Sequence, residues 1–155
     1  MTAPGRVLYW DASAILSLLF ADRHSETALA WMAGEATVHL LSTLAHAETV
    51  AVVSRLEREG AVTGAQGQSA RQAFASWPWR RLTAQPDWAT AATLAQGWPL
   101  RGADLWHLAC ARTLRQHLPE LQVLTFDSRL RAACQGEGLI PLPGEETPCH
   151  EPPQG

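Results

Sequence analysis

Lysine is absent from this 155-residue chain, and all 12 of its basic residues are arginine. Any mechanism that needs a lysine amine is therefore excluded. Arginine still provides a planar fork of donors that grips phosphate bidentately and stacks on nucleobases. Acidic residues outnumber basic ones, and the formal net charge is -3 at pH 7. Because nucleic-acid-binding proteins are usually basic, a nucleic-acid function has to rest on a specific site and on local arginines.

Cysteine is scarce and long apolar runs are missing. The cysteines Cys110, Cys134 and Cys149 are widely spaced and form no C-x-x-C motif, which argues against a disulfide framework or a zinc cage. A reducing, cytoplasmic compartment is therefore expected. The longest apolar stretch, residues 12–20, is interrupted by serines and is too short to span a bilayer. The N-terminal residues do not have the pattern of a signal peptide.

Short apolar runs alternate with helical patterns along the chain. Strands are predicted over residues 6–10, 37–41, 80–83, 121–126 and 139–142. Helices are predicted over residues 12–20, 24–33, 43–59, 64–76, 86–96, 105–117 and 128–135. This alternation indicates an α/β domain with a mainly parallel sheet covered on both faces. We expect one domain over residues 1–142 and a disordered Pro- and Glu-rich tail over residues 143–155.

Two aspartates follow predicted strands directly. Asp11 comes after the apolar run 7–10, and Asp127 comes after the run 123–126. Ligands of parallel α/β sheets bind outside the carboxyl ends of the strands, so both side chains are expected in one crevice. Either aspartate taken alone is equally consistent with an ordinary helix N-cap.

Two further acids lie where they could reach the same crevice. Asp104 follows the Gly102 turn at the start of a predicted helix, where the helix dipole stabilises an acid. Glu48 lies inside a predicted helix, in the otherwise apolar stretch 47–53, where an unpaired carboxylate would be costly. The alternatives are an ordinary first-turn acid for Asp104 and a solvent-facing acid for Glu48.

Four carboxylates gathered in one crevice repel each other, which raises their pKa values or forces the site apart. Divalent hard cations relieve this repulsion, and Mg2+ and Mn2+ prefer oxygen ligands. One or two such ions would orient a water molecule, neutralise a phosphodiester and stabilise the leaving 3′ oxygen. The pattern therefore predicts a metal-dependent phosphodiester hydrolase.

The acids also lie in four recognisable motifs. They are V-L-Y-W-D-A-S (7–13), A-E-T-V (47–50), L-R-G-A-D-L-W-H-L-A-C-A (100–111) and V-L-T-F-D-S-R-L (123–130). In these motifs the chain resembles the PIN domain family, in particular the VapC-type toxin ribonucleases, over roughly residues 6–142. The third and fourth motifs are the most specific. The bulky Trp10 beside the first aspartate and the Pro-rich tail depart from the family's pattern.

The resemblance implies a PIN-like three-layer α/β/α fold and an endoribonuclease that depends on Mg2+ or Mn2+. It implies an RNA substrate, a homodimer and, for the toxin branch, inhibition by an antitoxin protein. The family's acidic positions fall on Asp11, Glu48, Asp104 and Asp127. Ser13 and Thr125 match the polar residues that accompany the first and last aspartates.

Three residues are predicted to support the acids. Ser13 is placed to bond Asp11 or to cap the next helix, and Thr125 to steady a carboxylate or simply to favour a strand. His107 lies one turn after Asp104, so it either holds that carboxylate or is a core histidine, which we favour.

Arginines and tryptophans complete the candidates. Arg101, Arg129 and Arg55 are weak candidates for RNA contacts, since such an arginine is more often an ordinary surface charge. Four tryptophans in the middle of the chain form either a partner surface or part of the core: Trp77, Trp79, Trp88 and Trp98.

Several other function classes do not fit. A receiver domain needs a lysine, and a haloacid-dehalogenase-type phosphatase needs D-x-D where this chain has Asp11-Ala12-Ser13. A nucleotide-binding loop needs glycines after the first strand, and none is present there. The remaining alternative is a catalytically silent PIN-like module that binds RNA or protein. An intact set of clustered acids argues against it.

Overall fold

Strands and helices alternate along most of residues 5–140, which are the residues that the computed structural model describes. The strands are β1 (Arg6–Trp10), β2 (Thr37–Ser42), β3 (Trp79–Leu82) and β4 (Leu121–Leu124). The helices are α1 (Ala12–Leu19), α2 (Ser25–Met32), α3 (Thr43–Arg58), α4 (Gly64–Ser76), α5 (Trp88–Gly97), α6 (Gly102–Arg115) and α7 (Ser128–Gly136). No helix in this part of the chain is long and apolar enough to cross a membrane.

The four strands form one sheet in the order β3-β2-β1-β4, and every pair is parallel. In the centre, Tyr9 of β1 lies between Leu40 of β2 and Val123 of β4. The chain proceeds from β1 outwards to β2 and β3 on one side, and returns to place β4 on the other. The carboxyl ends of β1 and β4 therefore form a topological switch point, where α/β sheets bind their ligands.

Helices cover both faces of the sheet, which explains why β1 is apolar at consecutive positions. Successive side chains of a strand point to opposite faces. Leu8 and Trp10 pack with α1, α2 and α4 on one face, whereas Val7 and Tyr9 pack with α5, α6 and α7 on the other. The predicted three-layer α/β/α architecture with a parallel sheet is confirmed.

Trp10, the bulky residue before the first aspartate, fits the core without a polar group left unpaired. Its side chain is fully buried, and its indole Nε1 donates a hydrogen bond to Nδ1 of His39 at 3.0 Å. Its ring also contacts the ring of Trp79 edge to face, with 5.5 Å between centroids. Trp77 and Trp98 likewise pack against the core, whereas Trp88 is 89% exposed. The partner-surface interpretation therefore survives only for Trp88.

Some predicted boundaries were wrong. The strand predicted over 121–126 ends at Leu124, because Thr125 and Phe126 turn to make hydrogen bonds at the end of β1. The helix predicted to begin at Leu105 begins at Gly102, which places Asp104 in its first turn.

Other boundaries shift by a few residues at their ends. The helix predicted from Pro86 begins at Trp88, capped by Asp87. The last predicted strand was wrong for its described residues, because Leu139 and Ile140 form no strand. Both are buried, and the carbonyl of Leu139 accepts a hydrogen bond from the amide of Val123. Residues 141–142, Cys149 and the predicted tail lie outside the described residues.

Candidate active site

Asp11 lies at the end of β1 and is enclosed by hydrogen-bond donors. Its side chain caps α1, because Oδ1 accepts from the amide of Ala14 at 3.1 Å. The same oxygen accepts from Oγ of Ser13 at 2.7 Å, and Oδ2 accepts from Oγ1 of Thr125 at 2.7 Å. The residue is only 4% exposed. Asp11 is therefore an N-cap and also an acid at the carboxyl end of β1, joined to the end of β4.

Burial and hydrogen bonding act in opposite directions on this carboxylate. Burial raises the pKa of Asp11 above its ordinary value, and the bonds from Ser13, Thr125 and the amide of Ala14 oppose the rise. These donors are neutral, so they stabilise the negative charge without cancelling it. Asp11 is therefore a fixed carboxyl group whose two oxygens are both held by neutral donors.

The hydroxyls of Ser13 and Thr125 attach the end of β4 to the end of β1. Oγ of Ser13 accepts from the amide of Phe126 at 3.0 Å, and Oγ1 of Thr125 accepts from the amide of Asp127 at 3.2 Å. Each hydroxyl also donates to Asp11, so both its hydrogen and a lone pair are used. The supporting contacts predicted for Ser13 and Thr125 are thus present, and they fix the backbone that carries Asp127.

Asp127 caps α7 with one oxygen only. Its Oδ1 accepts from the amides of Arg129 at 3.1 Å and Leu130 at 2.9 Å, and the residue is exposed. The cap leaves Oδ2 outside these bonds. Asp127 is therefore an N-cap, as the alternative interpretation held, and at the same time a carboxylate at the switch point.

Asp104 shows that the acids influence each other. It is half-buried in the first turn of α6. Burial raises the pKa of Asp104 above its ordinary value, and the negative charges of Asp127 and Glu48 raise it further. The acids also affect the buried thiol of Cys134 on α7. Burial, and then the negative charges of Asp11 and Asp104, raise the pKa of this thiol to about 12. Acids from four separate segments therefore act on one region.

Glu48 is held in place by a buried histidine. Its Oε1 lies 2.6 Å from Nε2 of His107, whose side chain is 2% exposed. Nδ1 of the same ring lies 2.7 Å from Oη of Tyr9. A carboxylate can only accept, so Nε2–H of His107 donates to Glu48, and Nδ1 of the same ring is hydrogen-bonded to the hydroxyl of Tyr9. This relay joins α3, α6 and β1.

The relay corrects one expectation and adds one residue. His107 was expected to hold Asp104 if it held a carboxylate at all, but the acid it holds is Glu48. It is also a core histidine, so the structural interpretation was right in part. Tyr9 was missed as a polar residue of the site. Its signal in the sequence is a tyrosine inside a buried strand, because a buried hydroxyl needs a partner.

The candidate arginines contribute unevenly. Arg101 precedes α6 and is exposed, and its charge opposes the rise in the pKa of Asp104. Arg129 is exposed in the first turn of α7. Arg55 instead lies 3.9 Å from Glu59 on the exposed side of α3. Arg101 and Arg129 therefore lie beside the acids and Arg55 does not; their contact with RNA stays a prediction.

The donor set fits a hard divalent cation in its chemistry. Carboxylate oxygens are the ligands that Mg2+ and Mn2+ prefer, and a bound cation would relieve the repulsion seen at Asp104. Among residues 5–140, however, no three histidine, cysteine, aspartate or glutamate side chains form a ready-made metal cage. The charges of Asp127 and Glu48 act on Asp104, but the role of these acids as metal ligands stays a prediction.

The comparisons with known proteins agree with this geometry. A family model described as the PIN domain matches residues 8–135, a range that contains all four acids. The chain belongs to the PIN domain family. Among solved structures, this PIN domain is similar to Mycobacterium tuberculosis VapC20, described as a sarcin-ricin loop cleaving toxin. The TM-score is 0.55 at 16% identity, over 81% of this chain and 94% of that chain, which is a likeness of fold. The curated proteins give no match.

Replacing Thr125 by valine tests the attachment of β4 to Asp11. Thr125→Val removes a donor from a buried carboxylate, so we expect a loss of about 1–3 kcal/mol, or roughly 2–12 °C in Tm. Thr49→Val is the matched control, because Thr49 is equally buried but donates to the carbonyl of Ala45 within α3. That change should cost less than about 0.5 kcal/mol. Equal losses in thermal unfolding would contradict the role given to Thr125.

Replacing Asp104 by asparagine tests the repulsion between the acids. A carboxyl whose pKa is raised in the folded protein loses stability as pH rises through that pKa. Asp104→Asn should therefore raise Tm at pH 7 by roughly 1–3 °C after screening by solvent, with the gain vanishing as pH falls towards 3.8. Asp87→Asn should give no gain, because bonds from Thr90 lower the pKa of Asp87. A Tm decrease for Asp104→Asn at pH 7 would refute the repulsion.

Proposed function

We propose that this PIN domain is an endoribonuclease that hydrolyses RNA phosphodiester bonds with the help of Mg2+ or Mn2+. Its catalytic and metal-binding acids are Asp11, Glu48, Asp104 and Asp127. The observation that carries the proposal is the joining of Asp11 and Asp127 at the carboxyl ends of β1 and β4 by the hydroxyls of Ser13 and Thr125. The charges of Asp127 and Glu48 act on Asp104 beside them. Structural acids are usually paired with cations or spread apart, whereas the charges of Asp127 and Glu48 raise the pKa of Asp104.

Each acid has a distinct supporting role in the proposal. Asp11 is an immobile anchor, since its two oxygens are fixed by donors from α1 and from the end of β4. Asp104 and Asp127 are more exposed to solvent than Asp11, and in the proposal their carboxylate oxygens face the bound RNA. The hydrogen bond from His107 fixes the orientation of the Glu48 carboxylate and keeps it from turning to solvent. The phosphate of the substrate would approach this edge beside Arg101 and Arg129.

A divalent cation, or a pair of them, held by these acids would activate a water molecule and neutralise the charge of the phosphodiester. The acids themselves provide the negative field that attracts the ion, and the absence of lysine leaves no ammonium group to compete for them. The covalent chemistry needs no protein nucleophile. Water adds to phosphorus, the bond to the leaving 3′ oxygen breaks, and a proton ends on that oxygen.

We further propose that the protein is the toxin of a toxin–antitoxin pair and acts in the cytoplasm. The family and the fold likeness to a ribosomal RNA-cleaving toxin support this assignment. The partners would be an RNA substrate, an antitoxin protein and, as a homodimer, a second copy of the chain. The exposed Trp88 is a suitable contact for a protein partner, since exposed tryptophan is enriched at interfaces.

Charge removal at Asp127 gives the sharpest test of the nuclease. Asparagine caps helices as well as aspartate does, so Asp127→Asn should keep α7 and Tm. We expect the rate of RNA cleavage with Mn2+ to fall about 100-fold or more, because a fixed charge at the reacting phosphate is lost. Cleavage is followed on denaturing gels, using total RNA and a sarcin–ricin loop hairpin as a defined probe. EDTA should stop the wild-type reaction.

Asp87→Asn is the matched control for that variant. Asp87 caps α5 in the same way, accepting from the amide of the residue three positions later, but it lies outside the acid cluster. Its cleavage rate should equal that of the wild type. RNA binding by wild type without cleavage under any divalent cation would instead favour the catalytically silent module.

Expression in a bacterial host tests the toxin assignment. The wild-type gene under an inducible promoter should arrest growth, and the Asp127→Asn gene should not, because arrest depends on RNA cleavage. Co-expression of the small gene adjacent to this one should restore growth. Growth curves with both plasmids measure the effect. Harmless expression of an active wild-type nuclease would exclude the toxin role while leaving the ribonuclease in place.

A further inference from the structure

A parallel stack of two aromatic rings lies beside the candidate acids. The rings of His24 and Phe126 have centroids 4.3 Å apart and planes inclined by only 5°. The other ring pairs found in residues 5–140 meet edge to face or tilted. None of the roles given above to the acids and their supports uses this stack.

The position of the stack is set by the same hydrogen bonds that build the site. Phe126 immediately precedes Asp127, and its amide donates to Oγ of Ser13 at 3.0 Å. Ser13 in turn donates to Asp11. The ring of Phe126 is therefore attached to backbone that lies between two of the proposed catalytic acids. A group bound on this stack would lie next to the reacting phosphate.

The histidine is held rigidly on its own side. It lies in the turn between α1 and α2, where its amide donates to Oδ1 of Asp22 at 2.7 Å. Asp22 also accepts from the hydroxyls of Ser17 at 2.7 Å and Ser25 at 3.3 Å. Nε of Arg23 donates to Nε2 of His24 at 3.1 Å, so a guanidinium lies at the edge of the imidazole. The two rings and the guanidinium form one preorganised unit.

The outer part of this unit is open to solvent and suits a nucleobase. Phe126 packs against the core, whereas His24 is half-buried and Arg23 is exposed. Bases of single-stranded RNA bind proteins by stacking on aromatic rings and on guanidinium planes. Stacking is valuable here in particular, because a chain of net charge -3 with clustered acids attracts the phosphate backbone poorly.

We propose that Arg23, His24 and Phe126 form a stacking subsite for a nucleobase of the RNA that flanks the cleaved bond. The proposal rests on the ribonuclease function proposed above. It makes His24 and Arg23 determinants of substrate affinity rather than catalytic residues. The alternative is a purely structural clip that holds the α1–α2 turn against the β4–α7 loop.

Two substitutions of His24 separate these roles. His24→Ala removes the stacking surface, and His24→Phe keeps a flat ring without the imidazole nitrogens. Binding is measured in EDTA with single-stranded RNA oligonucleotides that carry one 2-aminopurine at successive positions. Stacking on the subsite should quench the 2-aminopurine at one position in wild type and in His24→Phe. In His24→Ala the quench should disappear and Kd should rise about 5- to 100-fold.

Kinetics with Mn2+ provide the second readout. His24→Ala should raise KM by a similar factor and leave kcat within about twofold, since the acids are untouched. His46→Ala is the matched control, because His46 contacts the ring of Phe74 on α4, with centroids 5.6 Å apart at a tilt of 31°. That variant should bind and cleave as wild type does. Tm of all three variants is recorded alongside.

The outcomes are distinguishable. If wild type cleaves RNA and His24→Ala has unchanged Kd, KM and quenching, the subsite is refuted and the nuclease stands. If His24→Ala lowers Tm and kcat together with no specific loss of binding, the stack is only a structural clip, which also overturns the proposal. If wild type neither binds nor cleaves RNA, the proposed function and the subsite fail together.

Discussion

The carboxylate of Asp104 lies close enough to Asp127 and Glu48 for their charges to disfavour its ionisation, and this crowding at one edge of the sheet governs the rest of the site. The segments that carry these acids are far apart in sequence, so only the parallel topology brings them together. The apolar packing on both faces of β1 must therefore offset the repulsion between carboxylates at the switch point. Such sites are commonly functional, since a ligand can relieve the stored repulsion.

The protein holds these acids in place with side-chain hydrogen bonds. Ser13 and Thr125 hold Asp11 through hydroxyls, and His107 holds Glu48 through an imidazole that is itself fixed by Tyr9. Pairing each acid with an arginine would neutralise the site and remove its attraction for a cation. The neighbouring stack of His24 on Phe126 offers RNA a contact of another kind in the proposed subsite, because nucleobases bind by stacking on flat rings.

Much of the fold could be predicted, because its information is local. The run from Val7 to Trp10 is too continuously apolar for a half-exposed strand. The alternation of strands and helices leads to the parallel sheet and to the two strand-end aspartates. The partners inside the site could not be predicted in the same way. The contact between Glu48 and His107 joins residues 59 positions apart, and it depends on how α3 and α6 lie across the sheet. The early end of β4 at Leu124 depends likewise on the remote Asp11, not on the strand propensity of its own residues.

Paramagnetic broadening by Mn2+ tests most directly whether the crowded edge exists to hold a divalent cation. With substoichiometric Mn2+ added to 15N-labelled protein, the amide signals of residues 11–13, 104–107 and 125–129 should broaden first, and excess Mg2+ should reverse the effect. The amides around Asp87, an exposed aspartate outside the cluster, should stay sharp. Broadening centred elsewhere, or spread evenly over the surface acids, would contradict the account.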